Sequence, residues 1–113
     1  MHEMSLCEGV LQVIEAEAAR QGFSRVTQVR LEIGAVAGVD REAMAFAFDA
    51  VTRATLAAGA ELVILDVPAR AWCVVCEEQV AVGERYDPCP SCGGFQLQLT
   101  AGTELSIKDL EVE

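Results

Sequence analysis

Four of the five cysteines stand as two Cys-x-x-Cys pairs, Cys73 with Cys76 and Cys89 with Cys92, and 12 residues separate the pairs. Each pair forms a tight turn that aims two sulfurs at one centre. Two such turns, joined by a short hairpin, complete a tetrahedron with Zn–S bonds of about 2.3 Å. Gly93 and Gly94 follow the second pair and permit the positive φ angles that let amides approach the sulfurs. The same residues could hold two disulfides, a rubredoxin-like iron or a redox-active thiol pair. A reducing compartment argues against disulfides, and four thiolates leave catalytic zinc no open position. The spacing therefore favours structural Zn(II) on Cys73, Cys76, Cys89 and Cys92. Cys7 stands apart and reads as a small apolar residue on a helix, with a metal or redox role as its alternative.

The chain begins Met1-His2-Glu3, and His2 is its single histidine. A bulky second residue is expected to keep Met1 in place, which sets three nitrogens in chelating order. The α-amine and the His2 backbone nitrogen close a five-membered ring on a metal; that nitrogen and imidazole Nδ1 close a six-membered one. The Glu3 backbone nitrogen or carboxylate supplies a fourth donor. Four donors in a plane suit Ni(II) or Cu(II), which are among the few ions that drive amide deprotonation near neutral pH. Protons would compete with the metal there, since amines and imidazoles of these types titrate in that range. The plain alternative is an exposed histidine at a chain end.

These groups need elements to hold them. Ser5-Leu6-Cys7-Glu8 has the capping-box form, and Leu6, Val10, Val13 and Ile14 recur at helical spacing, which predicts a helix from about Ser5 to Gln21. Val29, Leu31 and Ile33 alternate with polar residues as in a half-buried strand. Asp40 is a good N-cap for a second helix carrying Met44, Phe48 and Val51 and ending near Gly59. "ELVILDV" reads as a strand covered on both faces, stopped by Pro68. From Ala69 to about Gln98 helical periodicity is lost, and Trp72, Tyr86, Phe95 and a few valines offer the only core. "TELSIKDLEV" resumes strand patterning with a change of parity at Lys108–Asp109. The order helix, strand, helix, strand, cysteine-rich insert, strand predicts an α+β fold, with two helices packed on a small β-sheet and the zinc ribbon inserted before the last strand. The expected division is 1–69 with 98–113 for the α+β domain and 70–97 for the ribbon.

Apolar residues make up 52% of 113, enough for a core, and 18 acidic against 8 basic residues leave a net charge of −10. Such a surface repels phosphate backbones and anionic lipids, so neither nucleic acid nor membrane is an expected partner. No run approaches the ~20 apolar residues of a membrane span, and Glu3 and Glu8 interrupt any secretory leader. The expected location is cytoplasmic.

"MHEMSLC", "RVTQVRLEIG", a helix opening at Asp40 and C-x-x-C-x12-C-P-x-C, in this order, resemble the HypA/HybF-type nickel metallochaperones of hydrogenase maturation. The resemblance spans essentially the whole chain. It implies a nickel-binding α+β domain with an inserted zinc-ribbon domain. It also implies nickel ligation by Met1 and His2 with Glu3 required, a link of Asp40 to that site, and zinc on the four paired cysteines. Some members carry a histidine near the zinc cysteines, and this chain has none there. The family passes Ni(II) to the large subunit of nickel–iron hydrogenase together with a nickel-binding maturation GTPase, and some members serve urease. A phosphate-cradling G-x-x-x-x-G-K-[ST] loop is missing here, so any nucleotide-driven step belongs to the partner.

The leading expectation is a nickel carrier, a binding protein rather than an enzyme. The alternative is a zinc-ribbon adaptor for nucleic acid or a transcription-associated partner. Against it stand the acidic charge and the three basic residues, Arg70, Arg85 and Lys108, from Ala69 onward. A thiol–disulfide enzyme using one Cys-x-x-Cys pair is the third reading, which stable zinc on all four thiolates would remove. The sequence leaves monomer and homodimer open.

Overall fold

A helix begins almost at the start of the chain. The computed structural model describes residues 2–113, so Met1 lies outside the described residues. Helix α1 runs His2–Gln21, three residues earlier than the Ser5 capping box predicts. Ser5 and Glu8 therefore sit inside the helix, and Glu3 is the acidic residue of the first turn, where the helix dipole favours negative charge. The buried stripe is Cys7, Val10 and Ile14, spaced i, i+3, i+7. Val13, expected on that face, is 52% exposed, and Cys7 takes the inward place.

Strand β1 spans Val26–Gly34 with Val26, Val29, Leu31 and Ile33 buried. Helix α2 spans Arg41–Thr52, and Asp40 caps it by accepting from the Ala43 N–H at 3.0 Å. Its inward face is Met44, Ala47, Phe48 and Thr52. It stops seven residues before Gly59. The Thr52 hydroxyl donates back to the Phe48 carbonyl at 2.7 Å, a bond that bends and weakens a helix end, and Ala54 turns out at φ 62. Turns then lead to β2, Glu61–Val67. None of its residues is fully buried, against the expectation of cover on both faces, because it lies at the end of a three-stranded sheet ordered β2-β1-β6.

The cysteine-rich stretch holds three strands that the sequence reading did not resolve. They are β3, Arg70–Cys73; β4, Glu78–Ala81; and β5, Leu97–Ala101. They form a second sheet ordered β4-β3-β5, antiparallel on both sides of β3, with Ala71 opposite Val80 and Leu99, and Cys73 opposite Glu78 and Leu97. Strand β6, Leu105–Val112, completes the first sheet. Its half-buried Asp109 pairs with Arg30 of β1, and Arg30 Nη2 reaches Asp109 Oδ2 at 2.8 Å.

The chain divides into two compact units: residues 1–31, 39–64 and 107–113, and residues 32–38 and 65–106. In the first, α1 packs on α2, and the Cys7 thiol donates to the Met44 carbonyl at 3.5 Å. In the second, the buried cluster is Ala71, Cys73, Val80 and Cys89, flanked by Cys76, Val82, Leu97 and Leu99. The aromatics expected to form this core are on its surface instead: Trp72 is 38%, Phe95 72% and Tyr86 85% exposed. A unit of this size fills its interior with small residues and sulfurs, which leaves no room for rings. The same unit contains a close backbone crossing, where a Cβ on Gly34 would stand 2.0 Å from the Gly102 carbonyl oxygen.

Candidate metal centres

The two Cys-x-x-Cys segments fold into the same turn twice. In the first, the Glu77 N–H donates to the Cys73 carbonyl at 2.8 Å and the Cys76 N–H points at the Cys73 sulfur at 3.4 Å. In the second, the Gly93 N–H donates to the Cys89 carbonyl at 2.8 Å and the Ser91 N–H points at the Cys89 sulfur at 3.4 Å. Each turn closes on a residue with positive φ, Glu77 at 53° and Gly93 at 73°. Gly93 meets that need at no steric cost. Glu77 does the same job without the usual glycine, which is why nothing in its residue type marked it.

These turns bring the four sulfurs within 4.8 Å of one another, with Cys73 and Cys92 at 3.8 Å and Cys76 and Cys89 at 4.0 Å. A tetrahedron with Zn–S bonds of about 2.3 Å has edges of about 3.8 Å. The donor set thus fits a tetrathiolate zinc in chemistry and in size. Cys73 and Cys89 are buried, Cys76 is half-buried and Cys92 is exposed. The backbone N–H of Cys92 holds the Cys89 thiol down at about 7 against its burial, aided by the Ser91 N–H. Close approach of the Cys92 sulfur, with burial, pushes the Cys76 thiol up to about 12. A cluster of four sulfurs without a cation thus keeps some of them protonated, and a bound dication reverses that preference.

At the start of α1, His2 is exposed on the first helical turn. The Glu3 carboxylate Oε2 accepts from the backbone N–H of Asp40 at 3.3 Å, so the first turn of α1 lies beside the first turn of α2. The Glu3 carboxyl is held below the usual carboxylate range by its own backbone N–H and then by that of Asp40. Asp40 meanwhile spends Oδ1 on its capping bond to Ala43. An apolar cleft of about 200 Å³ adjoins the pair, lined by Glu3, Met4, Ala43, Phe46 and Ala47. Among the described residues, the four cysteines are the set whose ligand atoms gather closely enough to hold an ion. Glu3 and Asp40 are brought together, while His2 does not join them in such a set.

The family model described as "Hydrogenase/urease nickel incorporation, metallochaperone, hypA" matches residues 1–112. The chain belongs to the HypA family. It is 60% identical over its whole length to all of the hydrogenase maturation factor HypA of Alkalilimnicola ehrlichii. It is 56% identical to that of Rhodopseudomonas palustris, again over both full lengths. The solution structure of the nickel metallochaperone HypA from Helicobacter pylori shares its fold, with a TM-score of 0.72 at 22% identity over 97% of this chain and 96% of that one. A second HypA solution structure gives a TM-score of 0.75 over 100% and 97%. The α+β architecture with two helices, small sheets and a four-cysteine cluster is thus the HypA fold. No helix among the described residues is long and apolar enough to cross a membrane.

Proposed function

We propose that this HypA-family chain carries Ni(II) at the start of α1 and surrenders it to a partner during hydrogenase maturation, while zinc on Cys73, Cys76, Cys89 and Cys92 holds the ribbon in shape. The observation that carries the reading is the contact between Glu3 and Asp40. It joins the starts of the two helices through a carboxylate one position along the chain from His2. The first four N–H groups of a helix have no partner within it, so metal can take the backbone nitrogens of His2 and Glu3 without breaking helix hydrogen bonds. The ionised Glu3 carboxylate offsets the positive end of the helix dipole, which would otherwise oppose a dication. Met1 supplies the amine, His2 its imidazole, and Asp40 a second negative charge.

Release is ligand exchange. A site on an exposed first turn offers its ion to incoming ligands more readily than a buried one. The receiving proteins in this reading are a nickel-binding maturation GTPase and the large subunit of nickel–iron hydrogenase, with nucleotide chemistry on the partner's side. Bound zinc would neutralise thiolate charge, and the ribbon's N–H groups already aimed at Cys73 and Cys89 would steady the sulfurs. The chain itself performs no catalysis in this scheme.

The test is a nickel titration of the native protein, a His2→Ala variant and a protein with two residues added before Met1. Both altered proteins are expected to lose tight nickel binding while keeping one zinc per chain. Undiminished affinity in the extended protein would overturn the amine chelate.

A further inference from the structure

The ribbon carries its largest apolar side chains on the outside. Tyr86 and Phe95, 85% and 72% exposed, line one groove of about 480 Å³ together with Arg85, Asp87, Leu97 and Leu99. Two large rings left in water on one groove, above two half-buried leucines, suit a contact site that is part apolar and part polar. The groove's own shape is fixed from below. Asp87 Oδ2 accepts from the Gly83 and Glu84 N–H groups at 3.1 and 3.0 Å, closing the turn that presents Tyr86. The Arg85 guanidinium donates to the Val36 carbonyl at 3.0 Å, and its charge is balanced within the lining by the Asp87 carboxylate, so the surrounding residues set the net charge.

Charge decides what can occupy it. From Leu65 to Ser106 the chain has six carboxylates against two arginines. A second copy would bring the same acidic surround against itself, at −10 per chain, and nucleic acid or an anionic lipid surface would be repelled. Two exposed aromatic faces beside a carboxylate attract a cation, and the leucine floor takes aliphatic side chains.

We infer that the groove of Tyr86, Asp87, Phe95, Leu97 and Leu99 docks a basic, leucine-rich segment of a partner protein, seating an arginine or lysine against the two rings. This function is separate from the nickel reading and rests only on the ribbon being folded around its zinc. It gives the ribbon a recognition role of its own: the cation selects, and the apolar contacts hold.

The probe is a capped hexapeptide of alternating arginine and leucine, titrated into the zinc-loaded full chain and followed by amide chemical shifts. Its control is the glutamate–leucine counterpart. Saturable shifts centred on Tyr86, Asp87, Phe95, Leu97 and Leu99 are expected with the basic peptide and not with the acidic one. Because Tyr86 and Phe95 are exposed, Phe95→Ser and Tyr86→Ser keep the fold, checked as one zinc per chain, and each weakens binding roughly tenfold. Asp87→Asn keeps a turn-closing acceptor, removes the charge and weakens binding about threefold. Equal binding of the acidic peptide would overturn the inference. So would affinity for the basic peptide that ignores Phe95→Ser, which marks diffuse attraction to an acidic protein. Sedimentation showing a dimer that Tyr86→Ser dissolves would overturn it too, because a second copy would then be the occupant.

Discussion

At the level of single residues, Gly34 and Cys7 are the positions where the fold has least freedom. A methyl on Gly34 would collide with backbone, at 2.0 Å from the Gly102 carbonyl oxygen, and backbone cannot swing aside as a side chain can. Gly34→Ala is expected to cost about 3 kcal/mol or more. Gly9 lies in α1 with nothing within 4 Å of its missing Cβ, so Gly9→Ala should instead stabilise by about 1 kcal/mol. Urea midpoints of the two variants, shifted in opposite directions, check the pair. Cys7 offers a pH test. Burial, and then the charge of Glu3, push its thiol from the ordinary 9.0 up to about 11. The folded state thus prefers the neutral thiol. Its contribution to stability is complete below about pH 9 and is lost as pH rises to about 11. Cys7→Ala should flatten that part of a stability–pH curve relative to the native protein.

Among the elements, the capping of α2 separates structure from charge. Asp40 both caps the helix through Oδ1 and, in the proposed site, adds a negative charge near nickel. Asp40→Asn retains an acceptor of nearly equal capping strength, so melting should move little while nickel affinity falls. Asp40→Ala should lose about 1 kcal/mol of stability as well. Thermal melts beside nickel titrations distinguish the two variants. The elements also show why some of this was readable from sequence and some was not. The two Cys-x-x-Cys turns and the Asp40 cap were legible because each depends on neighbours within a few residues. The meeting of Glu3 with Asp40 spans 37 positions, and no local pattern encodes it. The end of α2 was misplaced because Gly59 is a conventional stop signal, whereas a threonine hydroxyl at Thr52 and a positive φ at Ala54 ended the helix first. The strands β3, β4 and β5 were missed for another reason. They are four or five residues long, too short for alternation to show, and the inward positions of the central strand β3 are Ala71 and Cys73, which carry no strand signature. Tyr86 and Phe95 were assigned to a core because large rings usually seek one. Here the sulfurs had already filled it.

For the molecule as a whole, the helices and the sulfur cluster fall in different units, so removing metal should affect them unequally. A unit with so small a core depends on its staple. A strong chelator is expected to abolish ribbon structure, seen as collapse of amide shift dispersion for residues 70–101. The helical circular dichroism from the 20 residues of α1 and the 12 of α2 should largely persist. Loss of both signals together would contradict that. The order of strands has a consequence for biosynthesis. In the sheet β2-β1-β6 the central strand is made before one of its neighbours, β6, which follows the whole cysteine-rich stretch in sequence. Until residues 105–112 join the sheet, both cysteine turns can form, yet one side of β1 has no hydrogen-bonding neighbour. A chain without β6 would keep its sulfurs in place and present an open, adhesive strand for chaperones and proteases to find.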